Sequence, residues 1–358
     1  MSSPRRVVMA AFLAGLTGIP TGVAAAAEPP KIGKPIPIPP GTPSDVPPLP
    51  PAQLDPSLAI GGEDVKAKKV ETRLSVDVEV NGRGPYRFIV DSGADTSAVG
   101  LGVARELQLP LGTPAILNGM TSRDQVDRVK VDRLTLGPTT VRNLELPALR
   151  EYDVGGDGII GIDALVSKRL LMDFEKKLIK VEDSSVRYIP MPGEIVVTAR
   201  RQRGQLILTH VLAAGVPLDA VIDTGTEITI GNTALRDLLI KGNRDKFIDV
   251  PVIGVTGVTQ KLQVARIARL QLGSITIENV PMAFADVPPF KLFGLADQPA
   301  ILLGTDLLES FRRISLDFKD RKIRFQLRKC KPEGVIISTD PGNFSRLSST
   351  ATEDVCGR

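Results

Sequence analysis

One histidine, His210, serves the whole chain of 358 residues, and tryptophan is absent. A metal site built on several histidines is therefore excluded. A Ser-His-Asp triad could draw on His210 alone. That residue falls in a predicted strand, Leu206-Ile207-Leu208-Thr209-His210-Val211, and no Gly-x-Ser-x-Gly phrase accompanies it. His210 reads as an ordinary strand residue. Aromatic residues make up only 4% of the chain, so Val, Ile and Leu must fill the core, which favours β structure. The two cysteines, Cys330 and Cys356, both lie in the C-terminal tail. In an oxidising compartment they would close a loop of about 25 residues, worth roughly 3 kcal/mol; the alternative is two unpaired thiols. The net charge is a modest +4 and the basic residues are scattered, so no nucleic-acid partner is expected. The longest basic cluster, Arg200-Arg201-Gln202-Arg203, reads as a solvated turn between lobes.

The ends differ in character from the middle. Residues 1–27 have the form of a secretory signal. Arg5 and Arg6 give a positive start, Val7 to Leu16 an apolar stretch, and Ala24 to Ala27 small residues for cleavage. An uncleaved anchor is the alternative, but Gly18, Pro20 and Gly22 interrupt the apolar run. No later stretch is apolar and long enough to span a bilayer, so a periplasmic or secreted protein without a stable membrane span is expected. Residues 28–67 are dense in proline, as in Lys34-Pro35-Ile36-Pro37-Ile38-Pro39-Pro40 and Pro47-Pro48-Leu49-Pro50-Pro51. With few amide donors such a stretch is expected to be an extended polyproline linker. Residues 329–358 form a C-terminal tail.

Between these ends the chain is β-patterned and written twice. Arg73 to Val80 alternates apolar and polar residues, Asn81-Gly82-Arg83-Gly84 makes a hairpin turn, and the return strand runs into Asp91. In the second half Gln205 to Val211, a turn at Ala213 to Pro217 and Leu218 to Ile222 run into Asp223. The phrase Phe88-Ile89-Val90-Asp91-Ser92-Gly93-Ala94-Asp95 thus returns as Ala220-Val221-Ile222-Asp223-Thr224-Gly225-Thr226-Glu227. Each copy is answered downstream by Gly-x-Asp, first Ile159-Ile160-Gly161-Ile162-Asp163 and then Leu302-Leu303-Gly304-Thr305-Asp306. Leu134-Thr135-Leu136-Gly137 matches Leu270-Gln271-Leu272-Gly273, and Asp173-Phe174 matches Asp317-Phe318. This is an internal duplication of roughly 120 residues per copy. It divides the chain into lobes at 68–190 and 191–328, joined by a connector at Gly193 to Gly204. Short helices are expected at Gly102 to Gln108 and Ala234 to Ile240.

A lone Asp-(Ser/Thr)-Gly is a weak signal, usually a turn. Two copies at equivalent places, each closing an apolar strand, are a stronger one, because a buried strand has little reason to end in an unused carboxylate. Each residue has a physical task. The aspartate supplies the carboxylate, the hydroxyl of Ser92 or Thr224 can bond backbone of the opposite half, and Gly93 or Gly225 turns the chain tightly. Two carboxylates at hydrogen-bonding distance do not both ionise easily. One then takes a proton from water and the other polarises a carbonyl, with no metal or cofactor. Thr226 stands where the first copy has Ala94. Its hydroxyl is expected to donate to Asp223, making Asp223 the ionised partner and Asp91 the holder of the proton.

The chain resembles the aspartic peptidases of the retropepsin and pepsin clan, and the bacterial retropepsin-like aspartyl proteases most of all. Asp91-Ser92-Gly93-Ala94-Asp95 resembles the retroviral Asp-Thr-Gly-Ala-Asp phrase, and Asp157-Gly158-Ile159-Ile160-Gly161-Ile162-Asp163 the bacterial Asp-Gly-(Leu/Ile)-(Leu/Ile)-Gly-x-Asp phrase. The likeness runs from about residue 68 to 328. It implies a mostly β fold of two acid-protease barrel lobes forming a pseudo-dimer in one chain, acting as a monomer on peptide or protein substrates. By that resemblance Asp91 and Asp223 are the catalytic dyad, supported by Ser92, Gly93, Thr224, Gly225 and Thr226. Asp95 and Glu227 stand where the family binds substrate backbone. Gly119-Met120-Thr121-Ser122 and Gly254-Val255-Thr256-Gly257 stand where it has flaps. The chain departs from pepsins in lacking a flap tyrosine and from retropepsins in Ser92 and Glu227. An exported aspartic endopeptidase is the first reading. The alternatives are an inactive relative that binds peptides or envelope components, and a pair of lobes that each dimerise with another chain.

Overall fold

A computed structural model of the chain describes residues 31–50, 63–70, 73–137, 139–165, 168–239, 247–328 and 336–338. The signal-like residues 1–27 and both cysteines lie outside the described residues. The duplicated pattern folds into two closed barrels of the same connectivity. In the N-terminal barrel, Arg73–Val80 pairs with Arg83–Val90, which runs parallel to Gly158–Ile160. Gly158–Ile160 pairs with Ala98–Gly100, then follow Thr139–Leu149 and Arg128–Leu136, which returns to Arg73–Val80. The C-terminal barrel repeats this circuit through Gln205–Ala213, Val216–Ile222, Ala300–Leu303, Ile230–Gly231, Ile275–Phe284 and Thr259–Leu272. Closure leaves no free edge around either barrel. The interiors are filled as the composition demands, by side chains such as Val76, Val78, Val129 and Ile160 in one lobe and Leu208, Ile222, Leu270 and Leu303 in the other.

A third sheet joins the lobes. Its order is Glu63–Val70, Leu178–Asp183, Lys168–Asp173, Phe311–Asp317, Lys322–Leu327 and Glu194–Gln202, antiparallel throughout. Three strands come from each half, and the lobes meet at the central pair, Leu171 opposite Ser315. Two reciprocal ion pairs cross that seam. Arg169 reaches Asp317 at 3.0 Å, and Arg313, its counterpart four residues before Asp317, reaches Asp173. Both aspartates are fully buried. Tyr188 lies between Arg169 and Arg324, its ring centre 4.8 Å and 4.0 Å from their guanidinium carbons.

The structure corrects several expectations. The connector at Gly193 to Gly204 is a strand, Glu194–Gln202, because its alternating residues complete the inter-lobe sheet and then enter the C-terminal barrel. The Arg200-to-Arg203 cluster is accordingly no solvated turn: Arg200 pairs with Asp219 and Arg203 with Asp95. Glu63–Val70 already lies in the inter-lobe sheet, ahead of the expected start of the N-terminal lobe at 68. The proline-rich stretch is no free spacer either. Ile36–Pro37 pairs with Arg123–Val126. The two helices lie at Leu101–Glu106 and Thr233–Leu239, close to their expected places. His210 is an exposed strand residue. Among the described residues no helix is long and apolar enough to cross a membrane.

Candidate active site

Each candidate aspartate sits where a strand leaves its barrel. The amide of Asp91 donates to the Ile160 carbonyl at 2.9 Å and that of Asp223 to Leu303 at 3.1 Å, so the downstream Gly-x-Asp strand anchors each triplet. Beyond the strand the chain turns back on the carboxylate. Gly93 and Ala94 donate their amides to Asp91 Oδ1 at 2.8 and 3.0 Å, and Gly225 and Thr226 do the same to Asp223 Oδ1 at 3.0 and 3.2 Å.

The hydroxyls of Ser92 and Thr224 lock the two turns together. Ser92 Oγ donates to the Ile222 carbonyl at 2.9 Å and Thr224 Oγ1 to the Val90 carbonyl at 2.8 Å. Each hydroxyl also accepts the other residue's amide, at 2.9 Å for Ser92 N and 3.2 Å for Thr224 N. Four bonds thus cross between lobes in a buried place, where every donor and acceptor must be satisfied. The glycines cross over in the same way. A Cβ on Gly225 would lie 2.0 Å from Asp91 Cγ, and one on Gly93 would lie 2.5 Å from Asp223 Cγ. The backbone of each lobe therefore forms the floor under the other lobe's carboxyl.

The carboxyls of Asp91 and Asp223 hydrogen-bond to each other, and both titrate above the ordinary carboxylate range. Burial, followed by the charge of Asp91, pushes Asp223 up to about 8. Burial also raises Asp91, against which the Gly93 and Ala94 amides and the positive charge of Arg73 act. The expected role of the Thr226 hydroxyl is not seen. It donates to the Ile228 carbonyl at 3.4 Å, because the tight turn aims it along its own loop. The two carboxyls differ instead in their charged neighbours: Arg73 acts to lower Asp91, whereas the charge of Asp91 raises Asp223.

Asp163 and Asp306 hold the turns from behind. Asp163 accepts from Thr96 Oγ1 and from the Ser97 amide and hydroxyl, at 2.7–3.0 Å. Asp306 accepts from the Thr229 amide and hydroxyl at 3.0 and 2.7 Å. The glycines before them are needed for close approach: a Cβ on Gly161 would lie 2.5 Å from the Thr96 backbone, and one on Gly304 2.7 Å from Ile228. These positions explain the downstream half of the repeated phrase.

Asp95 and Glu227 line the cleft, and each is engaged by the opposite lobe. Arg203 reaches Asp95 at 2.7 Å, with Gln205 Nε2 donating to its other oxygen at 2.5 Å. Arg73 pairs with Glu227 at 2.9 Å. Sequence reading missed Arg73, Arg203 and Gln205. The signal was available in the hairpin register: Ser75 faces Ile89 and Ile207 faces Val221, which makes Arg73 and Gln205 counterparts.

The expected flaps are hairpins over the cleft, formed by Ala115–Asn118 with Arg123–Val126 and by Ile248–Ile253 with the start of Thr259–Leu272. Their tips touch. The hydroxyls of Ser122 and Thr256 lie 2.8 Å apart, and a Cβ on Gly254 would lie 2.2 Å from Thr121 Oγ1. The tips also cross over the midline. Met120 packs on the C-terminal cluster around Ile230 and Phe293, and Val255 on the N-terminal cluster around Ala98, Leu149 and Ile159. Beneath them lies a cavity of about 650 Å³ that contains Asp91, Asp223 and both flap glycines, Gly119 and Gly254.

A family model described as aspartyl protease matches residues 76–164 and again residues 209–307. No curated protein matches the chain.

Proposed function

This chain belongs to the aspartyl protease family, and we propose that it is an exported aspartic endopeptidase whose two lobes share one dyad, Asp91 and Asp223. The observation that carries this reading is the crossed arrangement at the triplets. Each carboxyl rests on the other lobe's glycine and the hydroxyls interlock, so one carboxylate pair is built from both halves of a single chain.

In the resting state Asp91 is ionised and Asp223 protonated, as their environments favour. A peptide lies extended in the cleft with its scissile carbonyl over the pair. Asp223 donates a hydrogen bond to the carbonyl oxygen while Asp91 takes a proton from a water as its oxygen attacks the carbon. The carbonyl oxygen receives the Asp223 proton, and a tetrahedral diol results. Asp91 then passes its proton to the amide nitrogen, the C–N bond breaks, and a diol hydroxyl returns a proton to Asp223. The dyad ends as it began. The amides on the two Oδ1 atoms hold both carboxyls in place and need not move during the reaction. The apolar walls beside the flap tips fit an extended peptide with apolar side chains near the cut. Export rests on the signal-like residues 1–27, and a monomer on the presence of both triplets in one chain.

The test is digestion of an unfolded protein across a pH series, with wild type and Asp91→Asn compared. Cleavage by wild type alone supports the reading. Tight peptide binding with no cleavage at any pH would instead identify an inactive peptide-binding relative.

A further inference from the structure

The proline-rich residues 31–50 grip the N-terminal flap on both edges. On one edge Ile36 faces Gln125 and Pro37 faces Asp124, and the Ile38 amide donates to Arg123 O at 2.8 Å. On the other, Pro48 bridges to Ile116, the Ile116 amide donates to Pro47 O at 2.8 Å, and the Leu49 amide donates to Ile116 O at 3.1 Å. Further bonds fasten the path between. The Gly33 amide donates to Asp127 Oδ2 at 2.8 Å, and Arg123 Nη1 donates to Thr42 O at 3.2 Å.

The spacing of the prolines suits this role. Amides point alternately to the two sides of a strand. In Pro35-Ile36-Pro37-Ile38-Pro39 the isoleucines keep the amides that face the flap, and prolines occupy the positions facing away. Leu49 between Pro48 and Pro50 repeats the arrangement. Prolines on the outer side offer no donor to a further strand, so the widened flap sheet ends there.

Nothing among the described residues supports the C-terminal flap in this way. Among the described residues Ile248–Ile253 pairs on one edge only, with Thr259–Leu272, and Ile248 and Ile253 are 69% and 50% exposed. Leu49, by contrast, is buried and lines the dyad cavity beside Ile116 and Leu117. The cavity keeps its volume of about 650 Å³ with the segment in place, so the segment is a wall and not a plug.

We propose that residues 31–50 are a working part of the cleft: they clasp the N-terminal flap, leave the C-terminal flap as the one that opens, and supply Leu49 as a substrate-contacting wall residue. The role of Leu49 rests on the protease reading, whereas the clasp does not.

Hydrogen exchange followed by mass spectrometry on the full chain tests the clasp. The amides of 115–126 should exchange at least tenfold more slowly than those of 248–259. Ile38→Pro deletes one clasp donor and should speed exchange at 123–126 several-fold while leaving 248–259 unchanged. Equal exchange in the two hairpins, or no response to Ile38→Pro, overturns the clasp. For the wall, Leu49→Ala should raise KM on an unfolded protein substrate at least threefold and redistribute the cut sites, with kcat little changed. Unchanged KM and cut sites overturn that role. Complete absence of cleavage by wild type would sink the protease reading and the role of Leu49 together, and the exchange contrast would still decide the clasp.

Discussion

Gly225 of the C-terminal lobe lies directly beneath the carboxyl of Asp91 in the N-terminal lobe, with room for a hydrogen and nothing larger: an added Cβ would stand 2.0 Å from Asp91 Cγ. Gly225→Ala must therefore displace the carboxyl or part the lobes. The expected outcome is a fall in kcat/KM of at least about 100-fold, since displacement of a reacting group by about 1 Å costs that much. Gly93→Ala, whose Cβ would stand 2.5 Å from Asp223 Cγ, should behave alike. Steady-state kinetics with a thermal melt on the same samples separates misplacement from unfolding.

Asp91→Asn and Asp223→Asn should each abolish cleavage and keep the fold, because neither carboxyl alone can be acid and base. Asp223→Asn should also change stability in a pH-dependent way. The folded-state pKa of Asp223 is raised to about 8, so the wild-type group favours folding at acid pH and this contribution is lost as pH rises toward 8. Relative to wild type, the variant should gain melting temperature between pH 5 and pH 8. Calorimetry across that range would refute the assignment if the difference stayed flat.

The same assignment sets the shape of the activity profile. Rate should fall on the alkaline side as Asp223 loses its proton near pH 8 and on the acid side as Asp91 gains one. The Arg73 charge lowers Asp91, so Arg73→Gln should move the acid limb upward. Thr226→Ala should leave that limb where it is, because the hydroxyl bonds Ile228 and not Asp223. A shift with Thr226→Ala and none with Arg73→Gln would reverse the argument.

Ser92→Ala removes a donor to Ile222 O and the acceptor for the Thr224 amide. Both stranded groups are buried between lobes, and each costs about 1–3 kcal/mol when unsatisfied. Denaturant unfolding should show a loss of about 2 kcal/mol or more, and Ser92→Thr, which keeps the hydroxyl, should lose much less.

Arg169→Met strips Asp317 of its closest cation at a fully buried position. An uncompensated buried charge costs about 3–5 kcal/mol. Arg324, 3.7 Å from the same carboxylate, should hold the loss to the lower end. Unfolding of Arg169→Met, Asp317→Asn and the double variant checks the cause, since removing the carboxylate charge as well should shrink the loss.

Much of the site is legible in the sequence. The two triplets and the Gly-x-Asp partners lie on short local patterns: an apolar strand, a turn that needs glycine, a second strand that pairs in parallel with the first; the flap positions follow from the family resemblance. The roles of Ser92 and Thr224 were legible as chemistry, since a hydroxyl beside a buried carboxylate needs a partner. The proline-rich stretch was misread because proline density alone signals an extended chain with few donors. Among the donors that remain, those on Ile38 and Leu49 bond the flap.

What the sequence by itself determined was the duplication, the β pattern and the identity of the paired aspartates, because each is written in residues close together or repeated in order. Only the tertiary structure decided which groups meet across the lobes. Arg73 with Glu227, Arg203 with Asp95 and Gly225 under Asp91 are far apart along the chain and share no period. Such contacts arise when two closed barrels dock around one sheet, and the burial created by that docking is what raises the pair of carboxyls above their ordinary range.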